Sequence, residues 1–282
     1  MVRRILIVVG VAMAPFTVAQ PTNNVLLRVS MVESQYGRGS MFSLDVDQRE
    51  YWITAKHILT GAQHPPYGSI AAKTVNLRIL NPGAEGEQWI PLTFSVLDAG
   101  KDIDIVVLAA PTPLLPNSFL ASVPADSAGV TLGGECEFLG FPYGGGWRAK
   151  FSNGGSFWMP YVKRCTVSAM NYGTEDIYVL DGINNAGFSG GPVMIRTGPE
   201  QKIFAVISGY VTEPAEVVQS ASDKPVLIKK PPRIKKTSNE SGHAAHAREM
   251  VNVNSGFIIA YGINHATNVI HEHPIGPLRK PK

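Results

Sequence analysis

The sequence has 282 residues, of which 28 are glycine, 21 are proline and only 17% are charged. A chain of this length can bury one large core or two small ones. The many glycines and prolines, and the scarcity of helix-like runs, favour an all-β fold with many turns. The formal net charge of +3 is too small to indicate a nucleic-acid partner, and we expect none.

Residues 1–19 have the pattern of an export signal. Arg3 and Arg4 precede the apolar run 5–14, and the small residues 17–19 follow before Gln20. The apolar run is shorter than the roughly 20 residues that a membrane-spanning helix needs. We therefore expect a periplasmic or secreted protein without stable membrane insertion, and the alternative is an uncleaved anchor.

Strand-like segments follow at 25–29 and 37–44, and the stretch 51–59 has the pattern of a strand that runs into a short helical turn, with His57 at the junction. Histidine is the usual general base because its unperturbed pKa lies near neutrality. A histidine at the end of a buried strand is therefore a candidate catalytic base. The alternative is a surface histidine at a strand end.

After two more strand-like segments, an acidic stretch containing Asp102 and Asp104 enters the apolar run 105–108, which predicts a buried strand. A carboxylate here could orient an imidazole and fix its tautomer. The two aspartates are two positions apart and would share one face of a strand, so spacing alone does not choose between them. The alternative is that both are solvated turn residues.

The hexapeptide from Gly187 to Pro192 reads G-F-S-G-G-P. A serine hydroxyl needs a base beside it and hydrogen-bond donors for the oxyanion that it creates. Glycines let the backbone turn tightly, so the N–H groups of Gly187 and Ser189 are natural donors to an oxyanion. The alternative is a glycine-rich turn that happens to contain a serine.

These three motifs, in this order, resemble those of the chymotrypsin-fold serine peptidases, in particular the bacterial trypsin-like group. T-A-K-H ending at His57, the stretch 104–108 and G-F-S-G-G-P each resemble one of the family's motifs, and that frame favours Asp104 over Asp102. The resemblance covers about 25–218 and resumes near Ser255. It implies an all-β fold of two six-stranded antiparallel barrels with the site in the cleft between them.

The resemblance also implies an organisation for the mature chain, a peptidase domain over 20–282. The first barrel would span about 25–109, a proline-rich linker 110–129, the second barrel about 130–262, and a short helix and tail 263–282. The pattern breaks at about 219–253, where lysines alternate with prolines. This composition predicts an exposed, disordered insertion, with binding to an anionic surface as the alternative.

Four residues are expected to contact substrate by this resemblance. Ser208, Gly209 and Tyr210 would lie on a strand that pairs with a peptide as an extra antiparallel strand. Ile183 would stand where trypsin-like enzymes carry an acidic specificity residue, which predicts an apolar pocket.

The two cysteines, Cys136 and Cys165, permit one disulfide in an exported protein. The resemblance places their strands side by side, so a bridge is feasible, and two buried free thiols are the alternative. Phe188 replaces the aspartate that, in trypsin-like zymogens, pairs with a newly cut N-terminus. We therefore expect no such activation step here.

The sequence thus predicts a serine endopeptidase that cleaves polypeptides through an acyl-enzyme, with His57, Asp104 and Ser189 as the catalytic triad. No cofactor and no metal are expected. The alternative is a catalytically silent member of the same fold that binds peptides or partners. The sequence leaves the natural substrate and the oligomeric state open.

Overall fold

The structure is a computed structural model. It describes residues 23–80, 87–115, 122–150, 156–171, 173, 175–197, 200–219, 225–228 and 250–279. The predicted export signal, 1–19, lies outside these residues. Within the described ranges, no helix has the length and apolar character needed to cross a membrane.

Six antiparallel strands close into a first barrel. They are β1 (Val29–Ser34), β2 (Gly37–Val46), β3 (Arg49–Thr54), β4 (Thr74–Leu80), β5 (Trp89–Asp98) and β6 (Val106–Ala109). Their order around the barrel is β1-β2-β3-β6-β5-β4, and β4 pairs back with β1. Large apolar side chains such as Trp52, Phe94 and Leu108 fill the interior, because alternate residues of each strand point inward.

A second barrel repeats this strand order. Its members are β7 (Glu135–Gly140), β10 (Tyr161–Asn171), β11 (Ile177–Asp181), β12 (Pro192–Thr197), β13 (Glu200–Gln219) and β15 (Met250–Gly262). The ring runs β7-β10-β11-β15-β13-β12, and β12 pairs with β7 to close it. β8 (Trp147–Lys150) and β9 (Ser156–Met159) form a separate two-stranded antiparallel sheet. The predicted pair of six-stranded barrels is confirmed.

Two details of the prediction differ from the structure at the first strand and in the insertion. The segment 25–29 is not one strand, because a helical turn, α1 (Asn23–Leu26), precedes β1. A short continuous apolar run has no period of two, so it fits either element. Of the predicted insertion, 219–253, the structure describes Gln219, 225–228 and 250–253, and the rest lies outside the described residues. Here β14 (Pro225–Ile228) pairs with the end of β13, and residues 250–253 belong to β15 and pair with β13. The β-branched residues Val226, Ile228, Val251 and Val253 favour strands at these positions.

The interface between the barrels is apolar and includes the predicted C-terminal helix, which is confirmed as α3 (Asn264–Glu272). One buried cluster contains Phe42 from the first barrel, Leu139 and Val206 from the second, and Ile270 from α3. The tail beyond α3 returns to the first barrel, where Glu50 N–H donates to the Pro277 carbonyl at 3.0 Å. The orientation of the two barrels, and hence the cleft between them, is fixed by this packing.

Cys136 and Cys165 lie directly opposite each other on the paired strands β7 and β10. Both are buried, their Cα atoms are 4.9 Å apart, and the structure joins them as a disulfide. A Cα separation of this size lies within the range that a disulfide can bridge.

We predict that exported protein contains the Cys136–Cys165 bridge. Mass spectrometry of peptides digested without reduction should find the two cysteines in one linked pair. Because the bridge closes a loop with a sequence separation of 29, reduction should lower the free energy of unfolding by about 3–4 kcal/mol on the chain-entropy estimate. Alkylation of both thiols without reductant would contradict the prediction.

Candidate active site

His57 is held by a single buried carboxylate. It is the first residue of α2 (His57–Thr60), a one-turn helix that follows β3 and ends at Gly61, whose φ of 77° suits glycine. The His57 N–H donates to Asp104 Oδ1 at 2.8 Å, and His57 Nδ1 lies 2.7 Å from Asp104 Oδ2. A carboxylate acceptor places the ring proton on Nδ1, so Nε2 keeps a lone pair that can accept a proton.

Asp104, and not Asp102, makes this contact. Asp104 is fully buried, whereas Asp102 is half-buried and has no hydrogen bond or ion pair among the described residues. The expectation that the two would share one strand face is wrong, because β6 begins only at Val106 and both aspartates precede it.

The other side of the Asp104 carboxylate faces hydroxyl groups. Ser208 Oγ donates to Asp104 Oδ2 at 2.5 Å, Tyr67 Oη lies 3.4 Å from Ser208 Oγ, and Tyr261 Oη donates to Tyr67 Oη at 3.4 Å. Burial raises the pKa of Tyr67 and of Tyr261, so both phenols remain protonated donors. Several donors around one buried carboxylate offset the cost of removing it from water.

Ser189 belongs to the same hydrogen-bonded cluster through Ser208. Its Oγ donates to the Ser208 carbonyl at 3.0 Å, and it makes no hydrogen bond to His57 in this rotamer. The structure therefore brings His57, Asp104 and Ser189 together around Ser208. A rotation about one side-chain bond redirects the Ser189 hydroxyl.

Every backbone carbonyl from residue 183 to residue 189 accepts a hydrogen bond. We call this stretch the oxyanion loop, because it ends at the two predicted donors. The donors to its carbonyls, in chain order, are Lys163 Nζ to Ile183, Asn254 Nδ2 to Asn184, Phe188 N to Asn185, Tyr143 N to Ala186, Ser40 Oγ to Gly187, Gly191 N to Phe188 and Ser40 N to Ser189.

These bonds fix the direction of the two predicted oxyanion donors. A trans peptide points its N–H opposite to its carbonyl. The Ala186 carbonyl accepts from Tyr143 at 2.7 Å, which turns the Gly187 N–H the other way, and the Phe188 carbonyl accepts from Gly191 at 2.8 Å, which does the same for Ser189. The N–H groups of Gly187 and Ser189 donate to no atom of the described residues. Both are thus available to a developing oxyanion.

Ser40 is a site residue that the sequence motifs did not reveal. It is fully buried where the barrels meet, its Oγ donates to the Gly187 carbonyl at 2.7 Å, and it accepts from Phe141 N at 2.9 Å. The close approach also requires glycine at position 190. A Cβ there would lie 2.2 Å from the Ser40 carbonyl oxygen, and its φ is 83°. A lone serine in a strand carries no sequence signal of such a contact.

Lys56 is a second residue that the motifs did not single out. Its side chain is fully buried, and its ammonium pairs with the Asp98 carboxylate and donates to the Gly100 carbonyl. Asp98 in turn accepts from Ile70 N at 2.8 Å. Lys56 therefore ties the His57 turn to the loop that leads to Asp104.

The four predicted substrate-binding residues differ in exposure. Ile183 is 63% exposed and Tyr210 is 40% exposed, whereas Ser208 is buried beneath them. The Gly209 carbonyl accepts from Asn184 Nδ2 at 3.2 Å. Ile183 thus presents its apolar side chain to an open surface rather than to a closed pocket.

No protein-family model and no curated protein sequence matches the chain. Among solved structures, Rv3671c from M. tuberculosis, a Ser343Ala mutant in its inactive form, is 15% identical with a TM-score of 0.48, covering 92% of this chain and 98% of its own. The HtrA-type protease AlgW with tripeptide is 16% identical with a TM-score of 0.47, covering 89% of this chain and 62% of that one. Kallikrein-related peptidase 10 is 12% identical with a TM-score of 0.47, covering 90% and 98%.

The fold itself is defined by the chain's own strands. Two six-stranded barrels repeat one strand order, a short helix follows the second barrel, and His57 and Ser189 come from different barrels and bond to Asp104 and Ser208, which are themselves joined by a hydrogen bond. This is the two-barrel fold of the chymotrypsin-like serine peptidases.

Proposed function

We propose that this protein is a serine endopeptidase with His57, Asp104 and Ser189 as its catalytic triad. The observation that supports it most directly is the conjunction of two features. Asp104 holds both the backbone and the ring of His57, and the N–H groups of Gly187 and Ser189 have no hydrogen-bond acceptor among the described residues. Base, nucleophile and oxyanion donors are the groups that acyl transfer requires.

Acylation begins when the Ser189 hydroxyl turns from the Ser208 carbonyl to His57. His57 Nε2 takes the hydroxyl proton as Oγ attacks the carbonyl carbon, and the Nδ1–H bond to Asp104 stabilises the imidazolium. The carbonyl oxygen becomes an oxyanion that accepts from Gly187 and Ser189. His57 then gives its proton to the leaving amine, which releases the first product and leaves an acyl-enzyme.

Deacylation repeats these steps with water as the nucleophile. His57 removes a proton from water as the oxygen attacks the ester carbon, and the same two N–H groups bind the second oxyanion. The proton returns to Ser189 Oγ as the acid product leaves. The polypeptide substrate would pair with the strand at Ser208, Gly209 and Tyr210 as an added antiparallel strand.

A catalytically silent, peptide-binding role is the second candidate. The observation in its favour is the hydrogen bond from Ser189 Oγ to the Ser208 carbonyl at 3.0 Å, which leaves His57 Nε2 without that hydroxyl. A fluorophosphonate probe separates the two candidates, because only an activated serine reacts with it.

The proposal also places the enzyme outside the cytoplasm. Its support is the charged, apolar and small-residue order of residues 1–19 together with the pairing of Cys136 and Cys165, since disulfides persist in oxidising compartments.

Replacing Ser189 by alanine should abolish peptidase activity and leave the fold intact. In peptidases whose triads act as a unit, this loss is on the order of a million-fold in turnover. Casein cleavage and fluorophosphonate labelling are the measurements, with the thermal unfolding temperature as the control for folding. Comparable cleavage by the wild type and Ser189→Ala would refute the assignment.

Asp104→Asn should cost far more activity than the matched change Asp102→Asn. An amide at position 104 permits the wrong imidazole tautomer, a loss of roughly ten-thousand-fold in turnover. Asp102→Asn should stay within a few-fold of the wild type, because Asp102 has no partner among the described residues. The opposite ranking in matched kinetics would assign the triad carboxylate to Asp102.

Activity should not depend on a liberated N-terminus. Phe188 is fully buried, and its ring packs edge-on against Phe138 with the centroids 4.9 Å apart. An ammonium at this place would have no carboxylate to pair with and would be costly to bury. Protein with a short tag before Val25 should therefore match the mature enzyme in rate. Activity that appears only after an N-terminal cut, and disappears when the new terminus is acetylated, would overturn this interpretation.

A further inference from the structure

Lys163 is a cation that contacts the oxyanion loop but takes no part in the triad. It lies on β10, and its Nζ donates to the Ile183 carbonyl at 2.7 Å and to Asn185 Oδ1 at 2.5 Å. The same Nζ is 5.4 Å from the centroid of the Phe188 ring. One ammonium therefore interacts with three residues of the oxyanion loop, whose Gly187 and Ser189 N–H groups have no acceptor within the described part of the chain.

A series of hydrogen bonds connects Lys163 to the peptide that carries the Gly187 N–H. Asn185 Nδ2 donates to Tyr143 Oη at 3.0 Å, and the Tyr143 N–H donates to the Ala186 carbonyl at 2.7 Å. The second bond belongs to the peptide that carries the Gly187 N–H, so it sets the direction of that donor. Tyr143 has a φ of 55°, which a non-glycine residue adopts only where its surroundings hold it.

We propose that Lys163 is a positioning residue whose ammonium holds the oxyanion loop in the conformation that presents the Gly187 N–H to substrate. The inference rests on the proposed peptidase function and extends it. The Lys163 ammonium would then order the oxyanion loop, as a newly cut N-terminus does in trypsin-like zymogens. The presence of Phe188 in place of an aspartate agrees with this, because a new N-terminus would have no partner at that position.

The chemistry of lysine suits this role. An ammonium has three donors, so it can bond a carbonyl and a side-chain amide at once and still face an aromatic ring. Hydrogen bonds from a charged donor are stronger than neutral ones. Partial burial lowers the pKa of Lys163, as expected for an ammonium that is partly removed from water. Its neighbour Arg164 is exposed and has no such contact with the loop.

The test compares Lys163→Met with the matched control Arg164→Met in full-length protein. Methionine keeps an unbranched apolar stem and removes the ammonium, while the control removes a cation from the next position of the strand. The readouts are the fluorophosphonate labelling rate of Ser189, kcat and KM for a peptide substrate, and the unfolding temperature. We expect Lys163→Met to lower kcat and the labelling rate roughly ten- to a hundredfold, the range for loss of a charged hydrogen bond. KM and the unfolding temperature should stay close to those of Arg164→Met.

Two further variants distinguish positioning from general destabilisation. Lys163→Arg should restore most of the labelling rate, because the guanidinium keeps the charge and the donors. Asn185→Ala should slow labelling in the wild type but add little in the Lys163→Met background, since both changes interrupt the same connection. Should methionine impair folding, Lys163→Gln serves as the neutral variant and should show the same loss.

The outcomes separate the two proposals. Wild-type labelling together with equal rates for Lys163→Met and Arg164→Met would overturn the role of Lys163 and leave the peptidase assignment standing. Additive losses from Lys163→Met and Asn185→Ala, or a loss that follows the folded fraction, would also overturn it. A folded wild-type protein that is never labelled would overturn the peptidase assignment and this inference with it.

Discussion

The site depends on one constraint, which is that all seven carbonyls of the oxyanion loop already accept hydrogen bonds, six of them from residues outside the loop and that of Asn185 from Phe188 within it. Their partners come from both barrels, so the loop has little freedom to rotate its peptides. Among the residues that the structure describes, the N–H groups of Gly187 and Ser189 remain unpaired, which costs about 1–3 kcal/mol each where they are shielded from water. This cost favours the binding of a negatively charged ligand by the N–H groups of Gly187 and Ser189, as expected for a preorganised site.

The same constraint explains why the two barrels cannot be considered separately. The first barrel contributes His57, Asp104 and Ser40, and the second contributes Ser189 and Ser208. Ser40 joins the halves directly, because its hydroxyl and its N–H both donate to the oxyanion loop. A small change in the angle between the barrels would therefore disturb Ser189, the pair of His57 and Asp104, and the N–H groups of Gly187 and Ser189 together.

The sequence predicts those residues of the site that lie within short local motifs. His57, Asp104 and Gly187 stand in short stretches with a recognisable order, and the resemblance carried by these stretches implies two barrels. The roles of Ser40 and Lys163 could not be predicted from local motifs, because the residues that they contact are distant in sequence. Ser40 and Gly187, for example, are 147 positions apart. Periodicity also fails near strand ends, since Asp102 and Asp104 precede β6 and so do not share a face.

The tail after α3 has a consequence for how the protein is made. Its Arg279 guanidinium reaches Asp45 at 2.8 Å, the carboxylate that Arg28 also contacts at 2.7 Å, and Arg49 donates to the Gly276 carbonyl at 2.6 Å. During synthesis the first barrel leaves the ribosome well before these partners exist. The hairpin of β2 and β3 therefore gains these contacts only when the second barrel and α3 have emerged. A nascent chain stalled before residue 276 would therefore lack the contacts that the tail makes with Asp45 and Arg49.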